Sequence, residues 1–180
     1  MGNKFGKKDF DALPKQADFN KEHFLGVWYE QLRHIKVGCG KHEQVQMNFV
    51  LNQDQTIDFT NSYLKKCKKK NDEFKGKVTF EGASYEVKLD TCCHKTIDYK
   101  VFETDYVSYA IVYSYAKVMC CEDRGGSILT RDKNPSQEIL DRAVNALKGY
   151  VSDTKMEDYH RTVQWDDNLN KLDNPEKEKI

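Results

Sequence analysis

Nowhere does the sequence carry an apolar run close to the roughly 20 residues that a membrane-spanning helix requires. The opening stretch, MGNKFGKKDFDALPKQADF, has no apolar core, so no secretory signal is expected. Net charge is absent: 29 Lys and Arg balance 29 Asp and Glu. That excludes the whole-molecule basic field of a general nucleic-acid binder. No C-x-x-C or H-x-x-x-H spacing occurs, which removes the usual signatures of a zinc centre. The five histidines (His23, His34, His42, His94 and His160) are scattered, and no nucleophile elbow or Ser-His-Asp pattern accompanies them. Catalysis is therefore not expected, and no cofactor is expected.

What is present is a chain of 180 residues, enough for one well-buried domain. Mean hydropathy is −0.82 with 32% charged residues, yet 12% of residues are aromatic. That balance fits a thin-walled fold with a polar outside and aromatics gathered inside. Strand periodicity dominates the middle of the chain. The first strand is read over 27–36 and the second over 44–51, where Val45, Met47, Phe49 and Leu51 alternate with polar residues. Later strands carry Ile57, Phe59 and Tyr63; then Phe74, Val78 and Phe80; then Tyr85, Val87 and Leu89; then Ile97, Tyr99 and Val101. The seventh carries Val107, Tyr109, Ile111, Tyr113 and Tyr115, and the eighth ends at Arg131. KKCKKKND and VMCCEDRGG are read as loops. Eight short strands with turns and no intervening helices predict an antiparallel sandwich or an up-and-down barrel.

The next element differs. NPSQEILDRAVNALKGY offers Asn134 as N-cap, Pro135 at the first helical position and Gln137 at N3. Ile139, Leu140, Ala143, Val144 and Leu147 then share one face, so a single amphipathic helix lies against the outside of the sheet. The chain divides into a polar N-terminal arm (1–18), the barrel with its helix (19–165) and a charged tail (166–180).

Three segments resemble the ordered motifs of the lipocalin family. GVWYE at the first strand is similar to its G-x-W motif, TDYVSYAIVYS to its second and ILTRDKNP, just before the lone helix, to its third. The likeness is nearest to the branch of apolipoprotein D and the bacterial lipocalins, and it spans about 25–150. It implies an all-β, eight-stranded antiparallel barrel, closed at one end, with the helix packed on the wall. Carried over, Gly26, Trp28, Thr104, Asp105, Tyr106 and Arg131 are structural residues of the closed end, with the guanidinium laid on the indole. The catalytic lipocalin, a prostaglandin isomerase, uses a thiol inside the cup, and no strand-interior cysteine occurs here.

The resemblance further implies a cup for a small hydrophobic ligand of the fatty acid, lysolipid, retinoid or tetrapyrrole class. The residues expected to line it are Phe49, Phe59, Tyr63, Phe74, Tyr85, Tyr99, Tyr109, Ile111 and Tyr113. The competing function is a non-catalytic accessory subunit of a larger, membrane-associated assembly.

Strand alternation from Trp28 puts all six cysteines (Cys39, Cys67, Cys92, Cys93, Cys120 and Cys121) in loops at the open mouth. Three readings stand side by side. The cysteines are surface thiols in a reducing compartment, disulfides lacing the mouth loops in an oxidising one, or thiolate ligands of a metal with His94 or His42. If laced, Cys92 or Cys93 joined to Cys120 or Cys121 is the expected link. MGNKFGKK is similar to an N-myristoylation signal with Gly2 as acceptor, though Gly6 stands where Ser or Thr is preferred. With Met1 as native start, it implies the cytosolic side and a membrane surface as partner.

Overall fold

Alternating apolar residues need a face to bury, and in this protein that face curls until it closes on itself. The computed structural model describes residues 6–37, 42–65, 70–90, 95–118, 121–150 and 155–164. The strands are β1 (Gly26–His34), β2 (His42–Leu51), β3 (Ile57–Lys65), β4 (Lys70–Glu81), β5 (Ser84–Leu89), β6 (Thr96–Thr104), β7 (Tyr109–Val118) and β8 (Cys121–Thr130). Each pairs antiparallel with the next, and β1 pairs with both β8 and β2, so the barrel is complete. Two short helices, α1 (Lys7–Ala12) and α2 (Lys21–Phe24), precede the barrel. Helix α3 (Gln137–Tyr150) and a short strand β9 (Tyr159–Arg161) follow it.

Two loops expected from sequence are shorter than read. β4 already begins at Lys70, in register with Lys65 of β3, and β8 begins at Cys121, opposite Val118 of β7. Gly125 and Gly126, read as part of a loop, lie inside β8 because neighbours crowd against them. A Cβ on Gly125 would stand 2.4 Å from His34 Cβ, and one on Gly126 would stand 3.0 Å from Leu147 Cδ1 of α3. The glycine pair marks close approach within a strand.

Helix α3 packs on β7 and β8, burying Ala143 and Leu147 against Phe102, Tyr109, Ile111 and Ile128. Its cap is Ser136, whose hydroxyl accepts from the Ile139 amide at 3.4 Å, whereas the Asn134 amide is held in a turn by Asp132. The cap expected at Asn134 thus falls two residues later.

The N-terminal arm is docked from Gly6 on. Phe10 of α1 is buried, 5.6 Å from the Tyr115 ring, while Lys100 Nζ donates to the carbonyls of Asp11 (2.6 Å) and Leu13 (2.9 Å). β9 was not legible as a strand; it pairs with β1 from Leu32 to His34. It enters where the β1–β2 ladder stops, at Tyr29 and Gln46. The following residues fill that seam: the Thr162 amide donates to Gln31 O (3.0 Å), and the Gln44 amide donates to Val163 O (2.8 Å).

Candidate functional site

The closed end is built around Trp28, which is fully buried. The Arg131 Cζ lies 3.7 Å from the indole centroid. Its three nitrogens donate to the carbonyls of Tyr106 (3.0 Å), Val27 (2.8 Å) and His23 (2.8 Å). The indole Nε1 donates to Phe24 O at 2.8 Å. Gly26 has φ +93°, and a Cβ there would lie 3.3 Å from Arg131 Nη1, so both its conformation and its missing side chain are used. Thr104, Asp105 and Tyr106 form the turn beside this plug. Burial alone would raise the Asp105 carboxyl. Hydrogen bonds from Ser108, Tyr109 and Val107 outweigh it and hold the group below the usual carboxylate range. Tyr106 takes φ +66°, and its hydroxyl accepts from the Asn20 amide at 2.9 Å.

Above this plug the lower half of the barrel is solid. Phe24, Phe49, Phe59 and Tyr85 interlock there, with ring centroids 5.1 Å apart for Phe49 and Phe59 and 5.6 Å for Phe24 and Phe49. The upper half is open. A cavity of about 360 Å³ is lined on one side by Val45, Met47, Phe74, Leu89, Ile97 and Tyr99. Ser114, Asp123, Ser127, Glu30 and Arg33 line the other. His42, Tyr63, Lys65 and Lys95 stand at strand ends around its mouth, with His42 stacked on Tyr63 at 4.1 Å. Burial first, then the Arg33 and Lys65 charges, pushes the His42 pKa down.

The sequence-predicted cup residues therefore divide three ways. Tyr63, Phe74 and Tyr99 line the cavity. Phe49, Phe59 and Tyr85 point inward but belong to the packed layer beneath it, where Tyr85 stacks on Tyr99 at 4.8 Å. Tyr109, Ile111 and Tyr113 do not face the cup. Their side of β7 packs under α3 and α1, and Ala110, Val112, Ser114 and Ala116 supply the inner face. The alternation was right and its sense reversed, because both faces of β7 are covered.

Glu30 and Arg33 were not anticipated in the cup. They are 2% and 4% exposed, with Arg33 Nε 3.7 Å from Glu30 Oε1. Burial pushes the Glu30 carboxyl up, opposed by Arg33 and by the Thr162 hydroxyl, which donates to it at 2.6 Å. The sequence signal was available: Glu30 shares the parity of Trp28, as Asn61 shares that of Ile57 and Phe59. A second recess of about 470 Å³ lies outside the wall between α1 and β4–β6. Lys7, Asp11, Lys15, Glu86 and Asp98 line it, so its walls are charged and do not suit a lipophile.

Cys39, Cys67, Cys92, Cys93 and Cys120, and Gly2, lie outside the described residues. Cys121 contributes its backbone to the start of β8 rather than to a loop. The described strands that flank the cysteine-bearing intervals all end beside the cup. Among the described residues no group of His, Cys, Asp and Glu is placed to hold a metal ion, and no helix is long and apolar enough to cross a membrane.

An eight-stranded antiparallel barrel, a Trp–Arg plug at one end, a cavity at the other and one helix on the wall form a single combination. The fold is that of the lipocalins. Lobster apocrustacyanin A1 superposes with a TM-score of 0.65 at 16% identity, over 82% of this chain and 81% of that one. Insecticyanin from the tobacco hornworm Manduca sexta gives 0.68 at 14% identity, over 87% and 86%. In sequence, apolipoprotein D of Bos taurus is 29% identical over 109 residues, and that of Rattus norvegicus 31% over 116. These matches cover 59% and 63% of this chain, and 57% and 60% of the relatives' own lengths. No protein-family profile matches the chain.

Proposed function

We propose that this lipocalin barrel binds and carries one small hydrophobic molecule in its upper cavity. The observation that carries the reading is the cavity itself, about 360 Å³ behind an open mouth and above a solid aromatic floor. That volume lies within the range of small-molecule sites. Its β2 and β4–β6 wall offers apolar and aromatic surface, while polar groups below the mouth come from β1, β3, β7 and β8. The likeness to lipocalin structures and to apolipoprotein D supports the same reading. Native mass spectrometry of protein from its own source, followed by titration of a lipophilic probe, tests it. One-to-one binding is the expected result. If no lipophile co-purifies and none of a broad panel binds below roughly 100 µM, a binding energy of only about 5.5 kcal/mol, carriage fails. The chain is then better read as a rigid block in an assembly.

A further inference from the structure

The Asn61 side-chain oxygen accepts no hydrogen bond from any described residue, although the residue is only 6% exposed and lines the cavity. Its position explains why. The residue paired with Asn61 across β2 is Met47, and the one paired across β4 is Phe74, so neither neighbouring side chain carries a strong donor. Phe59 and Tyr63 flank it on the same face of β3. A buried amide oxygen left without a donor is costly, and it lies in the wall against which a bound molecule would rest.

The charges of the cup restrict what that molecule can be. Arg33 is the one arginine among the described lining residues, and it is already opposed by Glu30 at 3.7 Å, with Asp123 in the same wall. At depth there is no surplus positive charge for a carboxylate or phosphate to meet. The lysines of the lining, Lys65 and Lys95, stand at strand ends by the mouth, and Lys65 is paired with Asp72. An anionic head brought down to Asn61 would meet an acceptor in a cup whose lining already holds Glu30 and Asp123, and would lose its hydration as well.

Resting on the proposed carriage, we infer that the ligand is an uncharged lipophile bearing a hydroxyl or N–H group, whose proton is donated to the Asn61 side-chain oxygen. A lipophilic alcohol or ring N–H compound meets both conditions. A fatty acid or lysophospholipid, two of the classes the lipocalin resemblance allows, does not.

The test uses three probes that differ only at the polar end: retinol, its methyl ether and retinoic acid. Each is titrated into the full-length protein by quenching of intrinsic fluorescence. Retinol should bind about tenfold or more tightly than either of the others, the value of one buried hydrogen bond. Asn61→Leu should bring retinol down to the level of the ether. It should also raise the melting temperature of the free protein, because an unpaired buried acceptor has been removed. A lower melting temperature with retinol preference intact would mean that Asn61 is merely structural, and would overturn the inference. So would retinoic acid binding as well as retinol, most clearly if Lys65→Ala and Lys95→Ala weaken it, since the head group then sits at the mouth. Equal binding of all three probes removes this inference and leaves carriage standing. If none binds below roughly 100 µM, carriage itself falls and the inference with it.

Discussion

Thr162 donates its hydroxyl to the Glu30 carboxylate at 2.6 Å, across 132 residues of sequence. Two residues further on, the Gln164 side-chain amide bridges Glu30 O (2.8 Å) and Val45 O (2.9 Å), joining β1 to β2 where their own ladder has ended. The last described residues therefore close the barrel wall beside the cup. Gln164→Ala combined with Thr162→Val should cost about 1–3 kcal/mol, from loss of buried hydrogen bonds to a carboxylate and two carbonyls. Urea unfolding measures this. An unchanged midpoint would show that the seam holds without them.

The same carboxylate gives a pH signature. Burial raises its pKa in the folded protein above the unfolded value of about 4.3. Between those two values the folded state binds more protons than the unfolded one, so stability falls as pH rises. Glu30→Gln removes this dependence. The stability of wild type relative to the variant should therefore decline as pH rises from about 4.3 through the folded pKa, then level off. Unfolding curves at a series of pH values check it, and parallel profiles would refute a perturbed Glu30.

At the closed end, Trp28→Ala should cost about 3–5 kcal/mol, since it opens a cavity in a packed aromatic layer. Arg131→Ala should cost less, about 2 kcal/mol, as the guanidinium contact and its carbonyl bonds are lost. Neither should change probe affinity in protein that remains folded. A Trp28→Ala protein melting with wild type would contradict the plug.

The reversed sense of β7 separates stability from binding. Tyr113 packs against Phe102 with centroids 5.6 Å apart, under the helix and arm, whereas Tyr99 lines the cup. Tyr113→Ala should lower stability by about 1–3 kcal/mol, since the ring is only partly buried, and leave probe affinity intact. Tyr99→Leu should alter affinity at a smaller cost in stability. If Tyr113→Ala weakened the probe more than Tyr99→Leu, the assignment of faces would be wrong.

How much of this was legible depended on how many faces each element buries. Trp28 and Arg131 could be paired from sequence because they stand in ordered motifs, and α3 because its apolar positions repeat at helical spacing. β7 misled because it has two covered faces, so Tyr109, Ile111 and Tyr113 looked as inward as any core row. Gly125 and Gly126 looked like a turn because the pattern along one strand does not show that His34 and Val37 press against the first and Leu147 and Tyr159 against the second. β9 is three residues long, too short for any period. In the cup, the apolar wall could be anticipated in part, and Glu30 and Asn61 carried a signal in their parity, but Arg33 carried none. Polar residues in a strand are ordinarily assigned to solvent; the parity set by Trp28 and Phe59 turns Glu30 and Asn61 inward, and the register shift between Glu30 and Leu32 brings Arg33 in against that parity.

The solid lower half makes the barrel a vessel with a fixed bottom. Each methylene added to a ligand brings more apolar contact while there is depth to fill, worth about 0.8 kcal/mol apiece. With the hydroxyl held at Asn61, level with Met47 and just above the interlocked phenylalanines, the chain runs toward the mouth, and length beyond the rim projects into water. Affinity across a homologous series of alkyl alcohols should thus climb and then break to a plateau. The length at which it breaks is a ruler for the cup, and replacing Phe59 by Ala in the floor, beneath the anchored hydroxyl, should leave the break where it is.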